Sequence, residues 1–188
     1  MRADPVATVL SEIGGVLAST DRDSLSALVA GLAGADRIFV AGEGRSGFMA
    51  KAFAMRLMHL GLAVHVVGET TTPAIDRGDT VVAVSGSGTT AATVRTARVA
   101  VDRGARVWSV TTAADSSLAA AATESPGGLL VVPAATKHRR PGEATSVQPL
   151  SSLFDQAVHI LLDVVCLELA ELRSLDHDDA RRAHANTE

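Results

Sequence analysis

Short apolar runs of strand length alternate along this chain with segments whose apolar residues recur every three or four positions. Residues 37–41 (Arg-Ile-Phe-Val-Ala), 63–67, 80–84, 106–110 and 129–132 are such runs, and most end in glycine, serine or threonine. Runs this short with no polar alternation read as strands covered on both faces, and strands alternating with helices give a parallel sheet with helices on either side. The expected architecture is a three-layer α/β/α, doubly wound, five-stranded parallel sheet. Composition agrees: with four Phe, one Trp and no Tyr, the core must be built from Ala, Val, Leu and Ile.

The helical segments carry their own punctuation. Apolar residues at helical spacing mark 5–17 and 24–32, with Asp21 and Asp23 placed to cap or charge the start of the second. Further helices are expected over 48–60, closed by Gly61, over 91–102, closed by Gly104, and over 116–122. Residues 133–149 turn polar and loop-like, with Lys137, His138, Arg139 and Arg140 together. A long helix over 150–172 is apolar on most of its faces, which points to burial against other subunits. Residues 176–188 read as a charged tail. The 188 residues form a single domain: N-terminal helices about 5–34, sheet and crossover helices about 37–132, loop 133–149, and C-terminal helix and tail 150–188.

Composition also excludes functions. A net charge of −4 and the scarcity of aromatic rings argue against nucleic acid, which needs basic surface and stacking platforms. The one cysteine, Cys166, can form neither an internal disulfide nor a structural zinc site, and reads as a small core residue. No signal core or membrane-length apolar stretch is present, so the expectation is a cytoplasmic protein without a membrane partner.

Two glycine-rich loops follow strands and open helices. Gly42-Glu43-Gly44-Arg45-Ser46-Gly47 has the spacing of a dinucleotide fingerprint, with Glu69 about 22 residues beyond Gly47 as a candidate ribose-binding acid. Ser85-Gly86-Ser87-Gly88-Thr89-Thr90 is a better cradle for one phosphate. Its glycines let an anion approach the backbone, the following helix offers unpaired N–H groups, and Ser85, Ser87, Thr89 and Thr90 add hydroxyls. A nicotinamide cofactor has no use for this second cradle; a phosphomonoester does.

Beyond these loops, the runs Gly44-Arg45-Ser46-Gly47, Ala50 to Gly61, Val67-Gly68-Glu69-Thr70-Thr71-Thr72-Pro73, Ser146-Val147-Gln148-Pro149-Leu150, Leu153-Phe154-Asp155-Gln156 and His184-Ala185-Asn186 resemble the 6-phospho-3-hexuloisomerase family. That family belongs to the sugar isomerases (SIS domain), whose fold is flavodoxin-like. The resemblance runs from about Val6 to Glu188. It implies interconversion of D-arabino-3-hexulose 6-phosphate and D-fructose 6-phosphate through an enediol, in the ribulose monophosphate route of formaldehyde fixation. It further implies no cofactor or metal, a homotetramer, and hexulose-phosphate synthase as the pathway neighbour.

By the same resemblance, Ser46, Ser85, Ser87 and Thr90 hold the phosphate, with backbone groups at Gly86 and Gly88, and Arg45, Thr89 and Gln148 complete the substrate-binding set. Asp155 stands where the family has its glutamate base, one methylene shorter, a loss of about 1–1.5 Å of reach. Thr89 replaces a family glutamate, and Glu43 replaces a small residue beside the anion site. His184 matches a terminal histidine, giving it a part in ring opening, reached from a neighbouring subunit. Two alternatives stay open at this level: a SIS module that binds a sugar phosphate without turning it over, and a SIS isomerase acting on another sugar phosphate. Asp155, His159 and Asp163, at i, i+4 and i+8, admit either a metal site or a polar seam between subunits.

Overall fold

In the computed structural model, which describes residues 4–138, 143 and 145–186, five strands form one parallel sheet: β1 (Ile38–Gly42), β2 (Val64–Val66), β3 (Thr80–Val84), β4 (Arg106–Thr111) and β5 (Gly128–Val131). Their order is β2-β1-β3-β4-β5, and every neighbouring pair is parallel. The chain winds outward to β2 from β1, then returns past β1 and winds the other way through β3, β4 and β5. The reversal leaves a crevice at the carboxyl ends of β1 and β3, where a doubly wound sheet binds its ligand. The expected α/β architecture is the one found.

Both faces of the sheet are covered, which explains the unbroken apolar runs. Along β3, Val82 and Val84 enter the core on one face while Val81 and Ala83 enter the core on the other. The first layer comprises α1 (Pro5–Ser19), α2 (Arg22–Ala33), α3 (Gly44–His59) and α6 (Ser152–Leu172); the second comprises α4 (Ala91–Asp102) and α5 (Ser117–Thr123). Helix starts follow side-chain chemistry: Asp4, Asp21 and Ser116 each accept a backbone N–H at an N-cap. Helix stops at Gly61 and Gly104 use the left-handed conformation, at φ +73° and +76°.

Three sequence expectations are revised. Helix α3 begins at Gly44, four positions before the expected start, so the glycine loop is its first turn. Helix α6 buries its apolar side chains within its own chain: Leu153, Phe154, Val158, Leu161, Leu162, Val165 and Leu169 pack into the core shared with α1, α2 and α3. Much of its hydrophobicity is therefore accounted for by a central position in the first layer, while Leu167 and Leu172 stay exposed. The charged tail contains a further helix, α7 (His177–Arg182), opened by a reciprocal capping box between Asp176 and Asp179. Arg139 and Arg140 lie outside the described residues, and no helix among those described is long and apolar enough to cross a membrane.

Cys166 is buried on α6, and burial pushes its thiol up to about 12. Since the thiolate is the reactive form, a maleimide at pH 8 is expected to leave the folded chain unlabelled and to label it fully in denaturant, as read by mass spectrometry.

Candidate active site

The site grows from two close approaches at the crevice. A Cβ on Gly47 would lie 2.6 Å from the Gly42 carbonyl oxygen, so only glycine lets α3 start directly beneath the end of β1. Gly88, at φ +64°, turns the second loop back so tightly that a Cβ would fall 2.1 Å from the Ser116 hydroxyl. That loop is fixed from outside as well. The Gly86 carbonyl accepts from Thr112 N–H (3.2 Å) and from the hydroxyls of Thr112 (2.8 Å) and Thr111 (3.2 Å), and the Gly88 carbonyl accepts from Leu118 N–H at 3.0 Å. The backbone is held before any ligand arrives.

Within this frame, Ser85 Oγ and Thr90 Oγ1 stand 2.9 Å apart. Thr90 occupies the N-cap of α4 but makes no side-chain cap. Its hydroxyl is turned across the loop to Ser85, and the first-turn N–H groups of α4 are left for an external acceptor. Thr89 donates its N–H and hydroxyl to Ser87 Oγ, at 3.3 and 3.1 Å. Ser85, Ser87 and Thr90 line an open cleft of about 230 Å³ with Glu43, Arg45, Ser46, Lys137, Ser151 and Asp155. Its volume is below the ~300–1,000 Å³ of sites for drug-sized molecules and suits a small polar ligand.

Asp155, in the first turn of α6, lines the same cleft as the Ser/Gly loop. Ser46 Oγ donates to Oδ1 at 2.9 Å and Arg45 Nε to Oδ2 at 3.1 Å. The residue is only 2% exposed, whereas the Arg45 side chain is 60% exposed. Burial raises the Asp155 pKa from its ordinary value, and the bonds from Ser46 and Arg45 oppose that rise. A carboxylate held by two donors in a dry wall, with raised basicity, is equipped to take a proton from a ligand in the cleft.

The remaining candidates sort by position. Arg45, Ser46, Ser85, Gly86, Ser87, Thr90 and Asp155 line one cleft, and Gly88 shapes its loop. Thr89 is exposed beside the cleft. Gln148 does not line it: its side-chain amide donates to Glu12 of α1 at 3.0 Å, alongside Ser146 Oγ at 2.7 Å. His184 is stacked on His59, ring centroids 5.3 Å apart, at the far end of α3. Thirteen residues of helix separate Ser46 from His59, about 20 Å. Glu69 pairs with Lys51 at 3.0 Å and stands outside the cleft, which removes the support for a dinucleotide site. His159 and Asp163 approach one another at 3.7 Å while Asp155 turns to α3. Among the described residues no three acidic, His or Cys side chains group to hold a metal.

Sequence reasoning left out of the site His138, Ser151 and Leu150, all of which line the cleft. Leu150 holds φ +55°, a conformation costly for a branched residue and typical of functional rims. A polar loop gives no pattern from which that could be read.

A doubly wound sheet with a pinned Ser/Gly loop at its switch point, sharing a cleft with a buried carboxylate, defines an α/β protein with a small anion-binding crevice. The profile of the SIS domain matches residues 31–126. Over 180 residues the chain is 39% identical to the 3-hexulose-6-phosphate isomerase of Mycobacterium gastri, covering 96% of this chain and 88% of that one. It is 37% identical to the protein of the same name from Bacillus subtilis strain 168, over 97% of both chains. A solved structure of a hypothetical protein from Methanococcus jannaschii, inferred to have a molecular function of 3-hexulose-6-phosphate isomerase, superposes with a TM-score of 0.80 at 26% identity, covering 97% of this chain and 98% of that one. The chain belongs to the SIS domain family.

The Gly88→Ala variant places a Cβ on the Ser116 side chain in a left-handed backbone. It is expected to lose about 1–3 kcal/mol of stability and, at temperatures where it stays folded, most of the thermal stabilisation conferred by inorganic phosphate, both read from melting curves.

Proposed function

We propose that this chain is a 3-hexulose-6-phosphate isomerase, interconverting D-arabino-3-hexulose 6-phosphate and D-fructose 6-phosphate through a 2,3-enediol. The single observation that carries the reading is the phosphate cradle of Ser85, Ser87 and Thr90 sharing one small cleft with Asp155, in a chain so similar along its length to proteins of that name. The phosphate sits on the hydroxyls and N–H groups of the second loop. Ser46 reaches the ligand from the wall, and Lys137 at the rim draws in an anionic substrate. Anchoring the phosphate fixes the distance to the reacting carbons and spends remote binding energy on orientation.

Asp155 is the carbon base. It takes the proton from C2 of the 3-ketose and delivers it to C3 of the enediol, and the reverse reaction uses the same group. The shorter side chain is offset by rigidity: Ser46 and Arg45 hold both oxygens. A coupled assay with hexulose-phosphate synthase, formaldehyde and ribulose 5-phosphate should produce fructose 6-phosphate, and its failure to appear would retire this reading. Asp155→Asn is expected to lower kcat by about 10²-fold or more while phosphate still stabilises the fold. The rate should fall as pH drops through the raised Asp155 pKa, placing the acid limb of kcat/KM above the ordinary carboxylate value of about 3.9. Undiminished turnover by Asp155→Asn would remove it from this role.

The reading includes a homotetramer in the cytoplasm, fed by hexulose-phosphate synthase, with His184 assisting ring opening in a neighbouring subunit. Support comes from the position of His184, stacked on His59 at the end of α3 remote from its own cleft, and from exposed apolar side chains Phe48, Met55 and Met58 on α3 and Leu167 on α6. Antiparallel pairing of two α3 helices about a two-fold axis would set the His59–His184 end of one beside the Ser46 end of the other. If so, separately impaired His184→Ala and Asp155→Asn proteins should regain activity when unfolded and refolded together, since some mixed sites then hold both wild-type groups. No gain over the separate variants would place His184 outside the site.

A further inference from the structure

Isomerisation between two ketoses moves two protons. One passes from C2 to C3; the other must leave the hydroxyl on C2 and arrive on the oxygen of C3. Asp155 serves the carbon proton in the reading above, on which this inference rests, and both its oxygens are fixed by Ser46 and Arg45. The oxygen proton needs a second group, able to meet two adjacent oxygens in turn and not itself committed to a bond.

We propose that Glu43 is that group: it relays the hydroxyl proton between the C2 and C3 oxygens. Glu43 lines the same cleft as Asp155 and the phosphate loop. It follows Gly42 at the end of β1, whose register partner on β3 is Val84, the residue before Ser85; neighbouring parallel strands lie about 4.8 Å apart. On its other side, Arg45 and Ser46, two and three positions on, hold Asp155. Glu43 therefore shares the cleft with both the anion cradle and the base, joined to one through the β1/β3 register and to the other through Arg45 and Ser46, within the space a substrate spans when its phosphate is on one and its reacting carbons at the other.

Its chemistry fits the position. Glu43 occupies the N-cap of α3 but makes no capping hydrogen bond, and its side chain is free of other hydrogen bonds and ion pairs among the described residues. A carboxylate serving only the helix terminus would take the N–H groups within its reach. The steps balance with the carboxylate ionised at both ends. Asp155 removes the C2 proton and leaves an enediolate with its charge on the C3 oxygen. Glu43 accepts the proton of the C2 hydroxyl and passes it to the C3 oxygen. Asp155 then returns its proton to C3 as the carbonyl forms at C2.

The test separates the two protons. Fructose 6-phosphate incubated in D₂O reports carbon-proton transfer as deuterium entering C3, by NMR, and reports the complete reaction as appearance of the 3-ketose. Glu43→Gln is expected to slow isomerisation by about 10²-fold or more while exchange at C3 persists, so the ratio of exchange to isomerisation rises at least tenfold. Glu43→Asp, which keeps the carboxylate, should fall between Glu43→Gln and wild type, guarding against a merely misfolded variant. Asp155→Asn should lose both signals together. Equal loss of exchange and isomerisation in Glu43→Gln, or unchanged isomerisation with a lower KM as for a merely repulsive neighbour of the phosphate, would overturn the relay. A wild-type protein that shows neither exchange nor conversion removes the isomerase reading itself, and the relay with it.

Discussion

The bonds from Ser46 and Arg45 to Asp155 join the two halves of the site. They tie the first turn of α6, near the end of the chain, to the first turn of α3, which follows the first strand. A carboxylate buried to this degree is tolerated only when its oxygens are satisfied. Ser46 and Arg45 supply that satisfaction, and the start of α3 directly beneath β1, permitted by Gly47, puts them there. Phe154, next to Asp155 and fully buried, packs on Gly86, where even a Cβ would be 3.0 Å from its ring. Asp155, the helix that carries it and the Ser/Gly loop are thus one packed unit.

That unit sits at the reversal of strand order for a reason rooted in winding. Helix α3 departs from β1 on one side of the sheet and α4 from β3 on the other, so the N-termini of both open at the β1/β3 crevice. N–H groups left unpaired by helix geometry converge there. The pinned carbonyls of Gly86 and Gly88 keep the loop from rearranging on binding, and preorganised donors of this kind are most effective where charge must be held without reorganisation.

Much of this was legible in the sequence, and what escaped did so for physical reasons. The strands were readable because they are buried on both faces. Asp21, Gly61 and Gly104 punctuate helices through local chemistry that needs no tertiary context. The Ser/Gly loop after β3 showed its hydroxyls openly, whereas the glycines of 42–47 read as dinucleotide-fingerprint spacing and not as the first turn of α3. The apolar breadth of α6 is ambiguous by nature: residue spacing records that a face is covered, not whether α1, α2 and α3 or another subunit covers it. Helix α7 was hidden because a capping box in an acidic segment resembles a solvated tail. Gln148 and Glu12 meet across more than a hundred residues of chain, a pairing without local signature. Glu43 was visible only as a misplaced charge, since its relation to Asp155 depends on where α6 enters the cleft.

The raised pKa of Asp155 sets a tension between the site and the fold. Between the unfolded-chain pKa and the higher folded one, the native state binds more protons than the unfolded state. In that window stability falls as pH rises, and above the folded pKa the full cost of holding the ionised group in the wall remains. The bonds from Ser46 and Arg45 reduce that cost without removing it. The same burial that destabilises the carboxylate makes it a stronger base, so basicity useful to proton transfer and loss of native stability have one origin. A longer, solvent-exposed carboxylate such as Glu43 carries no such burial cost. Under the proposed mechanism the two acids divide the work by position, the buried one serving the carbon proton and the exposed one the oxygen proton.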